Sequence, residues 1–391
     1  MASPVDTSVK HYRSDISTSL VLNGQAGSLI GLLDATLVNG YGLQTASSLT
    51  VTDGVATVTF PSAFAATEDL VVLVAGATPA ALNGEQRLIS VATATNSIQF
   101  ATETANTTAT GTITVKIAPA GWTKVFSGTN KAVYRSPDPQ AHAGGMCIRV
   151  DDTGTLTARV VGYETMRDVD TGTGPFPTNA QQAGGLYWHK SSAANANAVL
   201  WSVIADSRFF MFYATPQRAS SATTTVGVTR GFGDLIPLRP TGDPYAVLIA
   251  GSATSVGSIS GLDESTVVAT YVARAHTGLG SSVAHAKPPY VGTGQSGSDT
   301  TMGPFPNPIT GKLYLSKKYV SVNANQSARA EIPGFLHAPH TNVADAFSLF
   351  DKILGSDDLF GRTILGLTSA SALNVNTPSS ASFVDITGPW R

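Results

Sequence analysis

The sequence predicts a mainly β protein: a small β-barrel module, a β-sandwich-type region, and two or three short helices. Three observations predict it. Runs of strand length alternate apolar residues with Thr and Ser, as in "LTVTDGVATVTF" and "GTITVKIAP". Turn signals containing Gly, Asn or Asp separate these runs, and apolar residues at helical spacing occur in only two places.

The first element is helical. In "QAGSLIGLLDATLVNG", residues 25–40, Leu29, Leu32, Leu33 and Leu37 fall on one helix face, and Asn39-Gly40 supplies the stop. It closes an N-terminal arm, residues 1–47. The period then changes. Asp53-Gly54 sits between two alternating runs, a strong hairpin signal. "LVVLVAG" is continuously apolar, which suits a strand covered on both faces. In "GTITVKIAP", Ile113, Val115 and Ile117 point inward while Thr112, Thr114 and Lys116 point outward. Five or six strands over residues 48–118 form the small barrel. Leu82 is expected to plug its interior from a tight turn, with Asn83 or Gly84 at positive φ.

Residues 119–391 read as the sandwich-type region. "GTLTARVVGYETM", "AVLWSVIADSRFFMFYATPQ", "DPYAVLIAGS" and "STVVATYVARA" have strand length and are rich in aromatic and β-branched residues. "SSVAHAKPPYVGTGQSGSDTTMGPFPNP" reads as an extended loop. "NVADAFSLFDKILG" places Val343, Phe347, Phe350 and Leu354 at helical spacing, which predicts a C-terminal helix with Asn342 as N-cap and Gly355 as stop. An internal echo joins "DTGTGPFPTNAQQAGGLYWHK" to "DTTMGPFPNPITGKLYLSK", with Gly-Pro-Phe-Pro starting at Gly174 and at Gly303. The prolines make each copy a rigid lead-in, anchored by Phe176 or Phe305, and the two copies are expected to frame one sandwich alike.

Composition narrows the function. Charged residues make up only 13% of the 391, so much of the polar surface is hydroxyl and backbone, which is cheaper to desolvate against a neighbour than charge is. That favours self-association. A net charge of −2, with Lys317-Lys318 as the densest basic pair, argues against nucleic acid as the main partner. The single Cys147 excludes an internal disulfide and any cysteine-based metal cluster, and it reads as a small buried strand residue. No apolar leader opens the chain and no apolar run is long enough to span a membrane, so a protein made in a reducing cytoplasm is expected.

Two resemblances add to this reading. "DLVVLVAGATPAALNGEQRLISVATATNSIQF" resembles a module common in phage structural proteins. That module is similar to the small β-barrel half-domain preceding the catalytic cysteine region of ubiquitin-activating enzymes. Val72, Leu73, Val74, Gly76, Leu82, Asn83, Gly84, Ile89, Val91, Asn96, Ile98 and Phe100 carry the match. It contains no cysteine, so it implies a scaffold and no ubiquitin-type activity. "VKHYRSD", "LNGQAGSLIGLLDATLVNGYG", "APAGWTKVFSGTNKAVYRS", "RVDDTG", "VGYETMRDVDTGTGPFP" and "VDITGPWR" resemble tailed-bacteriophage virion proteins. The resemblance implies a particle component located in the virion, whose partners are further copies of itself and other phage structural proteins.

Motifs for chemistry are sparse. "GTGQSG" lacks the Gly-x-Ser-x-Gly spacing of a nucleophile elbow, and Gly311-Lys312 is followed by Leu313 where a P-loop needs Ser or Thr. His337 and His340 flank Pro339, which blocks a metal-binding helix, so they read as surface-loop histidines. Asp151-Asp152 reads as an Asx turn, and Asp263-Glu264 and Asp357-Asp358 as solvated loop charges. No enzyme, cofactor or metal is expected. Aromatic residues give the candidates for ligand or interface contact: Tyr187 and Trp188 beside a Gly-rich turn, with Phe176 and Phe305. Trp188 is the type to stack on a sugar, yet it fills a core or an interface more often.

The expected function is therefore a structural, non-enzymatic part of a phage particle, most naturally of the tail or baseplate. The alternatives are a receptor- or glycan-binding tail module contacting host-surface glycan, and a capsid decoration protein. Fibre-like repeats are missing from the sequence, which favours the first.

Overall fold

The computed structural model describes residues 3–16, 20–255, 261–322, 327–370 and 375–391. Four antiparallel sheets dominate it, joined by one helix and short 3₁₀ turns. The β prediction holds, and each sheet has its own burial pattern.

The barrel module is an eight-stranded curled sheet. Its order is Tyr41–Thr45, Thr114–Ile117, Val71–Ala75, Gly84–Ala92, Ser97–Ala101, Val55–Thr59, Ser48–Thr52 and Thr107–Thr108. The sheet thus starts at Tyr41, ahead of the expected start of the module at residue 48. Asp53 and Gly54 both take positive φ, as the hairpin turn between Ser48–Thr52 and Val55–Thr59 requires. One face is apolar: Leu49, Val58, Ile98, Phe100 and Val115 are essentially inaccessible. Leu82, on the short 3₁₀ turn Ala80–Leu82, is fully buried among them. Positive φ falls on Gly84 and not on Asn83, whose side chain instead clamps the turn through the backbone N–H and carbonyl of Ala77.

The predicted N-terminal helix is present but changes pitch. Ser28–Leu33 is α-helical and Asp34–Asn39 continues as a π-helix, ending at Gly40 with φ 70°. Leu29, Leu32, Leu33 and Leu37 are buried. They join a large core that runs from the barrel, through the helix, to a second sheet and one face of a third.

The second sheet is a meander of Thr123–Gly128, Lys131–Arg135, Cys147–Asp151, Thr157–Met166 and Gly172–Phe176. Leu186–His189 also pairs with Thr157–Met166. The third, central sheet runs Lys10–Arg13, Trp201–Ala205, Phe209–Ala214, Val228–Asp234, Val247–Ala250, Thr270–Val272 and Val283–Ala284. Its middle strands are buried on both faces, as their continuous apolar sequence demands. Phe210, Phe212 and Phe232 face the meander; Phe209, Met211 and Tyr213 face the fourth sheet. That last sheet is ordered Ile236–Pro237, Ala330–His337, Ser380–Asp385, Thr363–Ser369 and Lys352–Leu354, with Ser316–Val320 also on Ala330–His337.

The predicted C-terminal helix is not formed. Val343–Asp345 is a single 3₁₀ turn, Asn342 is left-handed and makes no side-chain cap, and Lys352–Leu354 is an edge strand. Two aromatic anchors explain the failure. Phe347 packs against Phe305 and Phe383 on one side of the last sheet, whereas Phe350 packs against Tyr213 on the other. Side chains drawn to two different cores cannot lie on one helical face.

The two Gly-Pro-Phe-Pro copies share local shape only. Gly174 and Gly303 are both left-handed, and both Phe-Pro peptides are cis. The first copy forms strand Gly172–Phe176 in the meander, and its Phe176 is buried against Gly162 and stacked on Phe232. The second lies outside any strand, bridges Thr341 and leaves Phe305 half-buried. One copy is therefore a sheet strand and the other a loop, so the two do not frame one sandwich alike.

Candidate functional site

The polar groups that matter are inside the protein. His337 sits at the end of strand Ala330–His337, and the Gly-rich loop before residue 300 folds over it. Asp299 Oδ2 lies 2.8 Å from His337 Nε2, and Ser296 Oγ lies 3.2 Å from Nδ1. A carboxylate only accepts, so Nε2 carries the proton and the Ser296 hydroxyl donates to Nδ1. This is a Ser–His–Asp relay in the sense that nucleophilic hydrolases use, built from the "GTGQSG" serine that lacks an elbow.

Its surroundings close it. Ser296, His337 and Asp299 are 4%, 1% and 2% exposed. Ser296 Oγ also accepts the Ala338 N–H at 3.0 Å, and the Ser296 carbonyl accepts from the Ser380 hydroxyl. Asp299 is further held by the N–H groups of Thr293 and Thr301. Burial pushes the His337 pKa down to about 4, with Lys318 adding to the shift and Asp299 opposing it. Burial also raises the Asp299 carboxyl, but donors from Thr301, His337 and Thr293 outweigh that and hold it low. At neutral pH the relay is a neutral imidazole tied to a carboxylate. These contacts join the Gly-rich loop to strand Ala330–His337 and, through Ser380, to strand Ser380–Asp385.

The structure thus corrects several expectations from sequence. His337 and His340 are buried, not surface-loop residues. His340 receives the Tyr314 N–H and stacks on the Tyr314 ring. Asp263 is buried too: it accepts from the Thr229 N–H and the Ser382 hydroxyl, and its backbone carbonyl accepts from the buried Lys318. Asp357 and Asp358 are exposed, as read. Asp151 makes the expected Asx contacts to Thr153, but Asp152 turns inward to meet Lys190. Cys147 is a buried strand residue.

Of the aromatic candidates, Trp188 and Phe176 are wholly buried. The Trp188 indole donates to the Ala250 carbonyl and packs on Phe210 and Phe212, so it offers no face to a sugar. Tyr187 is half-buried beneath the Arg159 guanidinium, 3.8 Å from its ring centre. Phe305 contacts His340 and Phe347. The four do not converge. A concavity of about 620 Å³ lies elsewhere, between Leu20–Val21, residues 197–201 and residues 218–222.

Other buried charges were invisible in the sequence. Arg329 makes a two-pronged contact with Asp243 at 2.8 and 3.2 Å and touches His285. Arg230, fully inaccessible, meets His189 at 2.9 Å while its Nε and Nη1 lack partners. Burial lowers Lys318 to about 7 and Lys287 to about 8. Among the described residues, no group of three His, Cys, Asp or Glu side chains is arranged to hold a metal, and no helix is long and apolar enough to cross a membrane.

What fold and polar network define is a layered antiparallel β protein with internal ionic ties. No protein-family model matches the chain, and no curated protein matches it in sequence.

Proposed function

We propose that the protein is a non-enzymatic structural component of a tailed-bacteriophage particle, of the tail or baseplate region, acting through subunit interfaces. The observation that carries this reading is the last sheet's open edge. Among the described residues strand Lys352–Leu354 is the last of its sheet, and Leu354 and Phe360 beside it are 85% and 86% exposed. A free edge flanked by large apolar side chains is what proteins ordinarily cover. The low charge of the chain and the resemblance of its segments to phage virion proteins support the same reading. The buried indole of Trp188 removes the main support for the glycan-binding alternative.

The test is quantitative mass spectrometry of purified particles. A copy number far below that of the major capsid protein is expected for tail or baseplate. A number comparable to the capsid protein would mean shell decoration, and absence from particles would sink the reading.

A further inference from the structure

Lys190 and Asp152 are both completely buried, and each is the other's ionic partner. Their neighbours are few and specific. Lys190 Nζ donates to Asp152 Oδ1 and to the Gln25 carbonyl at 2.5 Å. Asp152 Oδ2 accepts the N–H groups of Leu29 at 2.8 Å and Ile30 at 3.3 Å.

This set leaves an ammonium short of acceptors. An ammonium has three protons to donate, and among the described residues two acceptors receive them. Two unit charges in a dry site also carry a heavy desolvation cost. The set suits an amide well. One N–H would point to the Gln25 carbonyl, and one carbonyl oxygen would sit on the Leu29 and Ile30 N–H groups.

We propose that Lys190 and Asp152 condense spontaneously into an intramolecular isopeptide bond. In the neutral form of the pair, the Lys190 amine attacks Asp152 Cγ. The developing oxyanion on Oδ2 is held by the two backbone N–H donors. A proton passes from Nζ to Oδ1, which leaves as water. The C–O bond to Oδ1 breaks as the C–N bond forms, and no oxidant or cofactor enters. Burial favours the neutral reactants, raising the Asp152 carboxyl and lowering the Lys190 amine despite their mutual attraction. The pair is also held in contact before reaction, so little orientation remains to be gained.

The position gives the bond a purpose. Asp152 follows strand Cys147–Asp151 and Lys190 follows strand Leu186–His189, and both strands pair with Thr157–Met166. A covalent bridge at that end ties three strands and the helix-leading segment at Gln25 together. It resists shear that hydrogen bonds alone would not. The inference does not depend on the particle reading.

The experiment is intact mass spectrometry of the denatured full chain. The wild type is expected to be lighter than its sequence by one water, and Lys190→Arg is expected to restore the full sequence mass. Trypsin should yield a branched peptide in which Val150–Arg159 is joined to Asp168–Arg208, uncut after Lys190. A water lost at Asp53-Gly54 by succinimide formation would persist in the Lys190→Arg variant and leave the branched peptide absent, which overturns the proposal. A wild-type chain at its full sequence mass overturns it as well, whether or not the variant folds.

Discussion

In the barrel, strand Val55–Thr59 alternates half-buried and buried residues, and its inward side chains are Ala56 and Val58. In the central sheet, strand Val228–Asp234 is buried at all seven positions, and two of those are Arg230 and Asp234. The first region holds itself together by apolar contact on one face. The second has no solvent face to which a polar side chain can escape, so its charges must find partners inside. The lesson is that covering both faces of a sheet turns every polar residue in it into a partner-dependent element.

Acid should separate the two regions most strongly. All seven histidines lie outside residues 41–117. Burial lowers His285 and His337 to about 4 and His189 to about 3. These groups bind protons more readily unfolded than folded, so stability is full above about pH 6.5 and falls as pH drops towards 4. Shifts of this size are worth on the order of 3–5 kcal/mol per group at most. Urea denaturation at pH 7 and pH 4, read by hydrogen exchange, should show the three sheets beyond the barrel losing protection first. Equal loss in the barrel would break the comparison.

Arg329→Met is the next largest. It strands the Asp243 carboxylate in the interior, and breaking such a buried pair costs about 3–5 kcal/mol. Thermal melting should show a large drop, partly restored by adding Asp243→Leu. No restoration would mean that Arg329 acts by packing alone.

In the barrel, Leu82→Ala should cost about 3 kcal/mol through the cavity it leaves. The loss should be equal at pH 7 and pH 5, which distinguishes it from Arg329→Met combined with acid. Leu82→Asp should unfold the module; a variant melting like its parent would show that Leu82 is no core plug.

The smallest effect belongs to the exposed pair Lys312–Asp357, 3.4 Å apart. Lys312→Ala should shift stability by less than about 1 kcal/mol, and salt should erase the difference. A larger, salt-resistant loss would mean that this surface is covered by a neighbour.

Part of the functional picture was legible because its causes are local. Asp53-Gly54, the alternating strands, Leu82 and the leucine face of the first helix are each determined by neighbours within a few residues. The candidate aromatics were not. Trp188 beside two glycines looks like a platform, and only the sheets packed above it show that it is core. Ser296, set aside for its spacing, acquired a histidine and an aspartate because a loop folds over a distant strand.

The sequence by itself therefore determined the β class, the strand and hairpin signals and the apolar faces, since these follow from side-chain period and turn chemistry along the chain. Tertiary structure alone decided which polar residues lose water and whom they meet. Lys190 finds Asp152 across 38 positions, His337 finds Asp299 across 38, and Arg329 finds Asp243 across 86. Desolvation depends on what packs around a side chain, and that is set by sheets brought together from opposite ends of the sequence.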